Sequence, residues 1–186
     1  MSDFLKPKSS YENLIAYKKS ECIYDLTVYF IEHYLGKGDR TIDQMKQAAR
    51  SGKQNIAEGR SNGNTSAEME IKLMNVAKSS LQELLLDYKD YLRVKDKELW
   101  TTAHPRFAKM VEMCKANNES AFYRNLAPKM NDVELSNVAI TLIHQTDRML
   151  GSLIELLKKD FLEKGGIKEA MYRARIEARG QRSYNK

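Results

Sequence analysis

The sequence predicts an all-α protein: an antiparallel, up-down-up-down four-helix bundle, with a helical insertion before the last long helix and a basic C-terminal helical tail. Three features point to it. Apolar residues recur at steps of three and four over four long stretches. Only 3 prolines and 9 glycines interrupt 186 residues, so long helices are permitted. The clearest turn signals, at 36–40 and 61–66, fall between the periodic stretches. The chain reads as one domain over 1–166, with an insertion at about 95–131, followed by a tail over 167–186.

The elements follow in order. Ser9 or Ser10 can cap a first helix running to about Leu35, with Leu14, Ile15, Cys22, Leu26, Tyr29, Phe30, His33 and Tyr34 facing inward. The glycine-containing turn at 36–40 suits an antiparallel helix pair. A helix over 41–60 follows, with Thr41 and Gln44 placed as a capping box. Its seam is Ile42, Met45, Ala49, Gly52, Ile56 and Gly59, and the shrinking residues permit close approach of a neighbouring backbone. Beside the seam runs a polar row of Gln44, Ser51, Asn55 and Glu58. The loop at 61–66 lacks a preceding strand and the spacing of a phosphate-binding loop, so it reads as a turn.

Thr65 and Glu68 form a second candidate capping box for a helix over 67–94, whose inward face includes Met74, Ala77, Leu81, Leu84, Leu85, Tyr88 and Leu92. Glu68, Glu70 and Glu83 read as surface charge on it. In the insertion, short helices are expected over 106–115 and 119–126, and the only tryptophan, Trp100, falls in this segment. Asp132 is placed to cap the last long helix, over 133–164, and Gly165-Gly166 to end it.

Net charge is +6 with a sequence pI near 9.2, which makes an acidic partner, nucleic acid first, plausible. No apolar run approaches a membrane span and the first residues do not read as a secretory leader, so a cytoplasmic protein without membrane contact is expected. Cys22 and Cys114 lie far apart and read as reduced, half-buried thiols. His33, His104 and His144 are isolated from one another, so neither a metal site nor a cofactor is expected. Nor do paired carboxylates, a Ser/His/Asp set or a Cys/His pair stand out, and no catalytic residue is assigned. Stacking on bases needs exposed rings beside basic residues, and in the first helix only Tyr17, next to Lys18 and Lys19, fits.

The tail carries Lys168, Arg173, Arg175, Arg179, Arg182 and Lys186 against Glu169 and Glu177. Its apolar stripe is thin (Ile167, Met171, Ala174, Ala178), so a membrane-surface role is disfavoured; its arginines suit phosphate contact, with a solvated, frayed C-terminus as the alternative.

The stretch from Gln44 to Gly59, with Ala77-Lys-Ser-Ser-Leu-Gln-Glu-Leu84 after it, resembles the four-helix-bundle proteins of the 23S rRNA-intervening-sequence family. Their signature is a Q-x3-A-x2-S helix ending in N-I-A-E-G, with A-x-x-S-x-x-E-L on the next helix. Gln44, Ala48, Ser51, Asn55, Ile56, Ala57, Glu58, Gly59, Ala77, Ser80, Glu83 and Leu84 fill those places. The resemblance covers roughly 10–92 and extends to 132–163. The insertion and tail depart from the pattern and look like the longer, suffix-bearing relatives. The resemblance implies a homo-oligomer, commonly a pentameric ring. It also implies kinship of fold with the accessory variability proteins of retroelements, which bind nucleic acid and a reverse transcriptase through basic ring surfaces. On this reading Gln44, Ser51, Asn55, Glu58, Gly59, Ser80 and Glu83 determine the fold, with Asn55 and Glu58 satisfying buried groups at the helix end and Ser80 helping from across the bundle.

The expected function is therefore non-enzymatic binding of nucleic acid, RNA ahead of DNA, by phosphate contacts from Lys46, Arg50, Lys53, Arg60, Arg173, Arg175, Arg179 and Arg182. The alternative is an oligomeric protein–protein scaffold or accessory subunit with incidental charge. An enzyme would have to use Ser51, Asn55, Glu58 and Ser80, the only polar groups grouped closely enough to examine.

Overall fold

The computed structural model describes residues 10–62 and 66–184, with the side chains of all of these except Lys164 and 177–184. The helices are α1 (Ile15–Tyr34), α2 (Thr41–Asn62), α3 (Ala67–Val94), α4 (Phe107–Ala116), α5 (Ser120–Leu126), α6 (Asp132–Lys164) and α7 (Ile167–Tyr184). The described residues contain no strand, so the protein is all-α. No helix among them is long and apolar enough to cross a membrane.

Helices α2 and α3 begin at Thr41 and Ala67, as the sequence leads one to expect, but the residues that cap the helices differ. The Ser10 hydroxyl accepts from the Glu12 N–H and caps a 3-10 turn at Tyr11–Asn13; Leu14 is then extended, and α1 begins at Ile15 without a side-chain cap. Thr41 lies inside α2, and the acceptor for its N–H is the Asp39 carboxylate at 2.9 Å. Ser66 caps α3 by accepting from the Met69 N–H; Thr65, the expected cap, lies outside the described residues. Asn131, not Asp132, caps α6, in a reciprocal box with Glu134. At the other end of α6, Gly165 has φ 71° and donates to the Phe161 carbonyl at 2.8 Å, as its place in the sequence predicts.

The main core lies where α1 meets α2 and α6, and α3 meets the same two helices. Cys22, Ile23, Leu26 and Phe30 of α1 are buried with Met45 and Ile56 of α2, Met74, Leu81, Leu84 and Tyr88 of α3, and Leu135, Leu142, Ile143 and Leu150 of α6. The Tyr88 hydroxyl donates to Thr27 at 3.0 Å, so the largest buried ring keeps a polar partner.

Contact between α2 and α3 is close because α2 presents small residues to it. A Cβ on Gly52 would stand 2.8 Å from Leu81 Cδ2, and one on Gly59 would stand 3.1 Å from Leu73 Cβ. Leu81 is itself wholly buried and has little room to move. Gly52→Ala is therefore expected to cost about 1 kcal/mol net. Overpacking of about 2 kcal/mol is partly offset by about 1 kcal/mol of helix propensity. Gly151→Ala in α6 is the control, because a Cβ there meets only Lys78 Nζ at 4.0 Å and the same propensity gain should raise stability. Urea midpoints should move in opposite directions for the two variants.

The 95–131 segment is fastened to α1 and α6. Asn137 of α6 accepts from the Trp100 N–H at 2.7 Å and donates to the Glu98 carbonyl at 3.0 Å. Lys18 pairs with Glu119 at 2.7 Å, Asp25 accepts from Ser120, and the Tyr34 hydroxyl donates to the Met130 carbonyl at 2.7 Å. Cys114 and Tyr123 are fully buried against α1.

Two expectations from residue type are corrected, and one buried charge is added to them. Cys22 and Cys114 are both 0% exposed rather than half-buried, and they form no disulfide. Glu70 is 0% exposed rather than surface charge; its carboxylate meets Arg60 at 3.2 Å. Lys19 is 1% exposed, and its ammonium donates to the Cys114 carbonyl at 2.5 Å, in the last turn of α4. That carbonyl has no partner within α4, and a cation there also suits the helix dipole.

Candidate functional site

Helix α2 carries different chemistry on its two flanks. At 100° per residue, Lys46, Arg50 and Lys53 share one side of the buried seam, and Gln44, Ser51, Asn55 and Glu58 share the other. The first flank borders α1, where Lys53 Nζ lies 4.6 Å from the centre of the Tyr24 ring. The second borders α3, where the Ser51 and Ser80 hydroxyls are 2.9 Å apart.

The structure joins only part of the polar row. Asn55 Nδ2 donates to the Ser51 carbonyl at 2.8 Å and to its hydroxyl at 3.1 Å. Ser51, Asn55 and Ser80 thus form one small network across α2 and α3. Gly59 is buried in the seam; Gln44, Glu58 and Glu83 are exposed. Gln44, Ser51, Ser80 and Glu83 line a shallow groove of about 590 Å³ shared with Asp43 and Asp87. Burial, and then Asp90 and Glu83, hold the Asp87 carboxyl above its ordinary range. A groove with this charge repels phosphate.

The basic residues divide as well. Lys46 and Arg50 are exposed, and Lys53 is half-buried. Arg60 is 15% exposed at its side chain and neutralises Glu70. Arg173 and Arg175 are exposed on α7, whereas the side chains of Arg179 and Arg182 lie outside the described residues. The pairing of Tyr17 with basic neighbours is not formed as a stacking platform. Its hydroxyl donates to Glu21 at 3.2 Å, Lys18 is held by Glu119, and Lys19 is buried.

The nucleophiles are poorly placed for chemistry. Burial pushes the Cys22 thiol up to about 12 and the Cys114 thiol up to about 11, so neither supplies thiolate near neutral pH. Burial also lowers His144, with Lys89 adding to the effect. Among the described residues, no group of three or more His, Cys, Asp and Glu side chains is placed to hold a metal ion.

One feature escaped the sequence reading. The inserted segment and α6 enclose a cleft of about 800 Å³ whose lining includes Trp100, Phe107, His144, Gln145, Arg148 and, from α3, Lys89. Its one signal in the sequence is the sole tryptophan placed in a segment without helical periodicity.

Comparison of the chain with family models, with curated proteins and with solved structures finds no match.

Proposed function

We propose that the chain is a non-enzymatic nucleic-acid-binding protein of the cytoplasm, taking RNA ahead of DNA, and a relative of the 23S rRNA-intervening-sequence family. On this reading α1, α2, α3 and α6 form an antiparallel up-down-up-down bundle. Two facts support that arrangement. The contacts run in a closed circuit, α1 to α2 to α3 to α6 and back to α1. Moreover, contact positions rise along one helix as they fall along the next: Gly52 meets Leu81 while Gly59 meets Leu73, and Tyr91 meets Asp132 while Lys78 meets Asp147.

The observation that carries the functional reading is the basic flank of α2. Lys46 and Arg50 are exposed one turn apart, with Lys53 on the same side, and the carboxylates of the α2–α3 groove lie across the seam. Many other cations of the chain are matched by acids: Lys18, Lys78, Lys97, Arg106 and Lys158 each lie within 2.6–2.8 Å of a carboxylate oxygen. A basic pair on a rigid helix suits a phosphate backbone, and arginine on α7 would add to it on this reading.

Anisotropy titrations of a structured RNA between about 50 and about 200 mM salt test this. Binding should fall steeply with salt, and Lys46→Ala with Arg50→Ala should flatten the log–log slope by about 1 to 2. No binding to RNA or DNA at the lower salt would end the proposal. Full affinity after deletion of 167–186 would remove the tail from it.

The alternative of an oligomeric scaffold draws on α7, where Met171, Tyr172 and Ile176 are 44%, 66% and 50% exposed. A homo-oligomeric ring or a protein partner would cover them. Mass by light scattering after nuclease treatment, with a nuclease-resistant pull-down of one partner, would favour that reading.

A further inference from the structure

We propose that the cleft between the inserted segment and α6 takes a single unstacked nucleotide, its base against Trp100 and Phe107 and its phosphate at Lys89 and Arg148. This rests on the nucleic-acid reading above and gives it a site with a shape.

The volume, about 800 Å³, falls within the range of clefts that hold small ligands. The walls are set before any ligand arrives. Trp100 is stacked on His104 with ring centres 4.1 Å apart and planes 8° from parallel. Its backbone N–H is fixed by Asn137, whose own amide holds the Glu98 carbonyl. Phe107 is packed against the core and faces the same space. Flat apolar walls of this kind suit a π-face, and unstacked bases are recognised by aromatic stacking and by hydrogen bonds along their edges.

The polar groups complete the match. Gln145 donates through Nε2 to the Val111 carbonyl at 3.2 Å, while its buried Oε1 has no hydrogen-bond partner. A buried acceptor left over in this way suits an N–H donor such as a base carries on its edge. Partial burial, and then Lys89, lower the His144 imidazole from its ordinary value, and in its neutral form the ring offers one donor and one acceptor. Charge at the cleft is net positive. Asp147 is held at both oxygens, by Lys78 at 2.7 Å and Gln82 at 2.7 Å. Lys89 and Arg148 then remain as the cleft's uncompensated charges, which suits one phosphate beside one ring.

The nucleotide could arrive free or as an unpaired residue of an RNA strand, and the sole tryptophan separates these. Emission of the full-length chain, excited at the indole, is followed while adding each nucleoside monophosphate, inorganic phosphate, a single-stranded oligonucleotide and a fully paired duplex. A saturable change is expected with a monophosphate and none with inorganic phosphate. A single strand producing the same change at lower concentration assigns the site to RNA; a change with the monophosphate alone assigns it to the free nucleotide. Arg148→Ala, on an exposed side chain, and Lys89→Ala should each weaken the response by at least about tenfold. Lys46→Ala with Arg50→Ala should leave it in place.

Silence of Trp100 toward monophosphates and single strands, while anisotropy still reports duplex binding, would overturn this inference and leave the proposed function standing. A tryptophan response indifferent to both Lys89→Ala and Arg148→Ala would overturn it too. Failure of every RNA and DNA to bind by anisotropy, with the monophosphate response intact, would sink the proposed function and keep the cleft as a nucleotide site.

Discussion

Raising the pH from about 8 to about 11 is expected to remove about 4 kcal/mol of folding stability, mostly through Cys22 and Cys114. Both thiols are fully buried, and burial raises them from 9.0 to about 12 and about 11. A thiol whose folded value exceeds its unfolded one stays protonated in the fold while the unfolded chain ionises. Its contribution is therefore whole below about pH 9 and is lost as pH climbs toward the folded value. At about 1.4 kcal/mol per unit, each thiol accounts for about 2 kcal/mol by pH 11. Burial raises the phenols of Tyr88 and Tyr123 as well, and they act in the same direction above about pH 10. Lys19 acts in the opposite one. Burial lowers it from 10.5, so the unfolded chain binds the extra proton and folding gains as pH rises between the lowered value and 10.5. One lysine does not outweigh two thiols and the phenols. Urea unfolding under reductant at four pH values checks the prediction. Cys22→Ala with Cys114→Ala should be less stable at pH 8 yet decline much less by pH 11. Constant wild-type stability across that range would refute it.

Most seam positions of the long helices could be read from the chain because they depend on residues three and four apart, although Ile15 and His33 of α1, expected inward, are exposed. Met45, Ala49, Gly52 and Ile56 needed no knowledge of their neighbours to be placed inward. The caps were harder, since suitable acceptors stand side by side: Asp39 near Thr41, Thr65 beside Ser66, Asn131 beside Asp132. Which one is used depends on the path of the loop, and residue type does not set that path. Lys19 and Glu70 show a different failure. Both occupy apolar seam positions, Lys19 with Ala16, Ile23 and Leu26, and Glu70 with Met74, Ala77 and Leu81. Spacing marked them as buried, but charge argued for the surface. Their partners settle it: Lys19 meets a carbonyl 95 residues away, and Glu70 meets an arginine across a turn. The cleft was out of reach for the same reason, because Trp100 and His144 become neighbours only when the inserted segment lies on α6.

Arg60→Met is expected to cost about 3 kcal/mol, far more than loss of an exposed pair such as Lys158 with Glu155. The reason is the position of Glu70. Its carboxylate is wholly buried, and the helix backbones run close there, since a Cβ on Gly59 would stand 3.4 Å from the Glu70 carbonyl oxygen. Water cannot easily replace the guanidinium in so narrow a space. Both residues have other interactions, which sets the loss at the lower end for a broken buried pair. Arg60→Met with Glu70→Leu should recover most of it, because an apolar pair of similar volume no longer buries a charge. The same variant separates structure from binding on α2. If Arg60 is structural and makes no phosphate contact, the single change lowers the urea midpoint and leaves the salt slope of RNA binding untouched, while Arg50→Ala does the reverse. A stable Arg60→Met protein with a flattened salt slope would instead make Arg60 a phosphate contact and carry the basic flank to the end of α2.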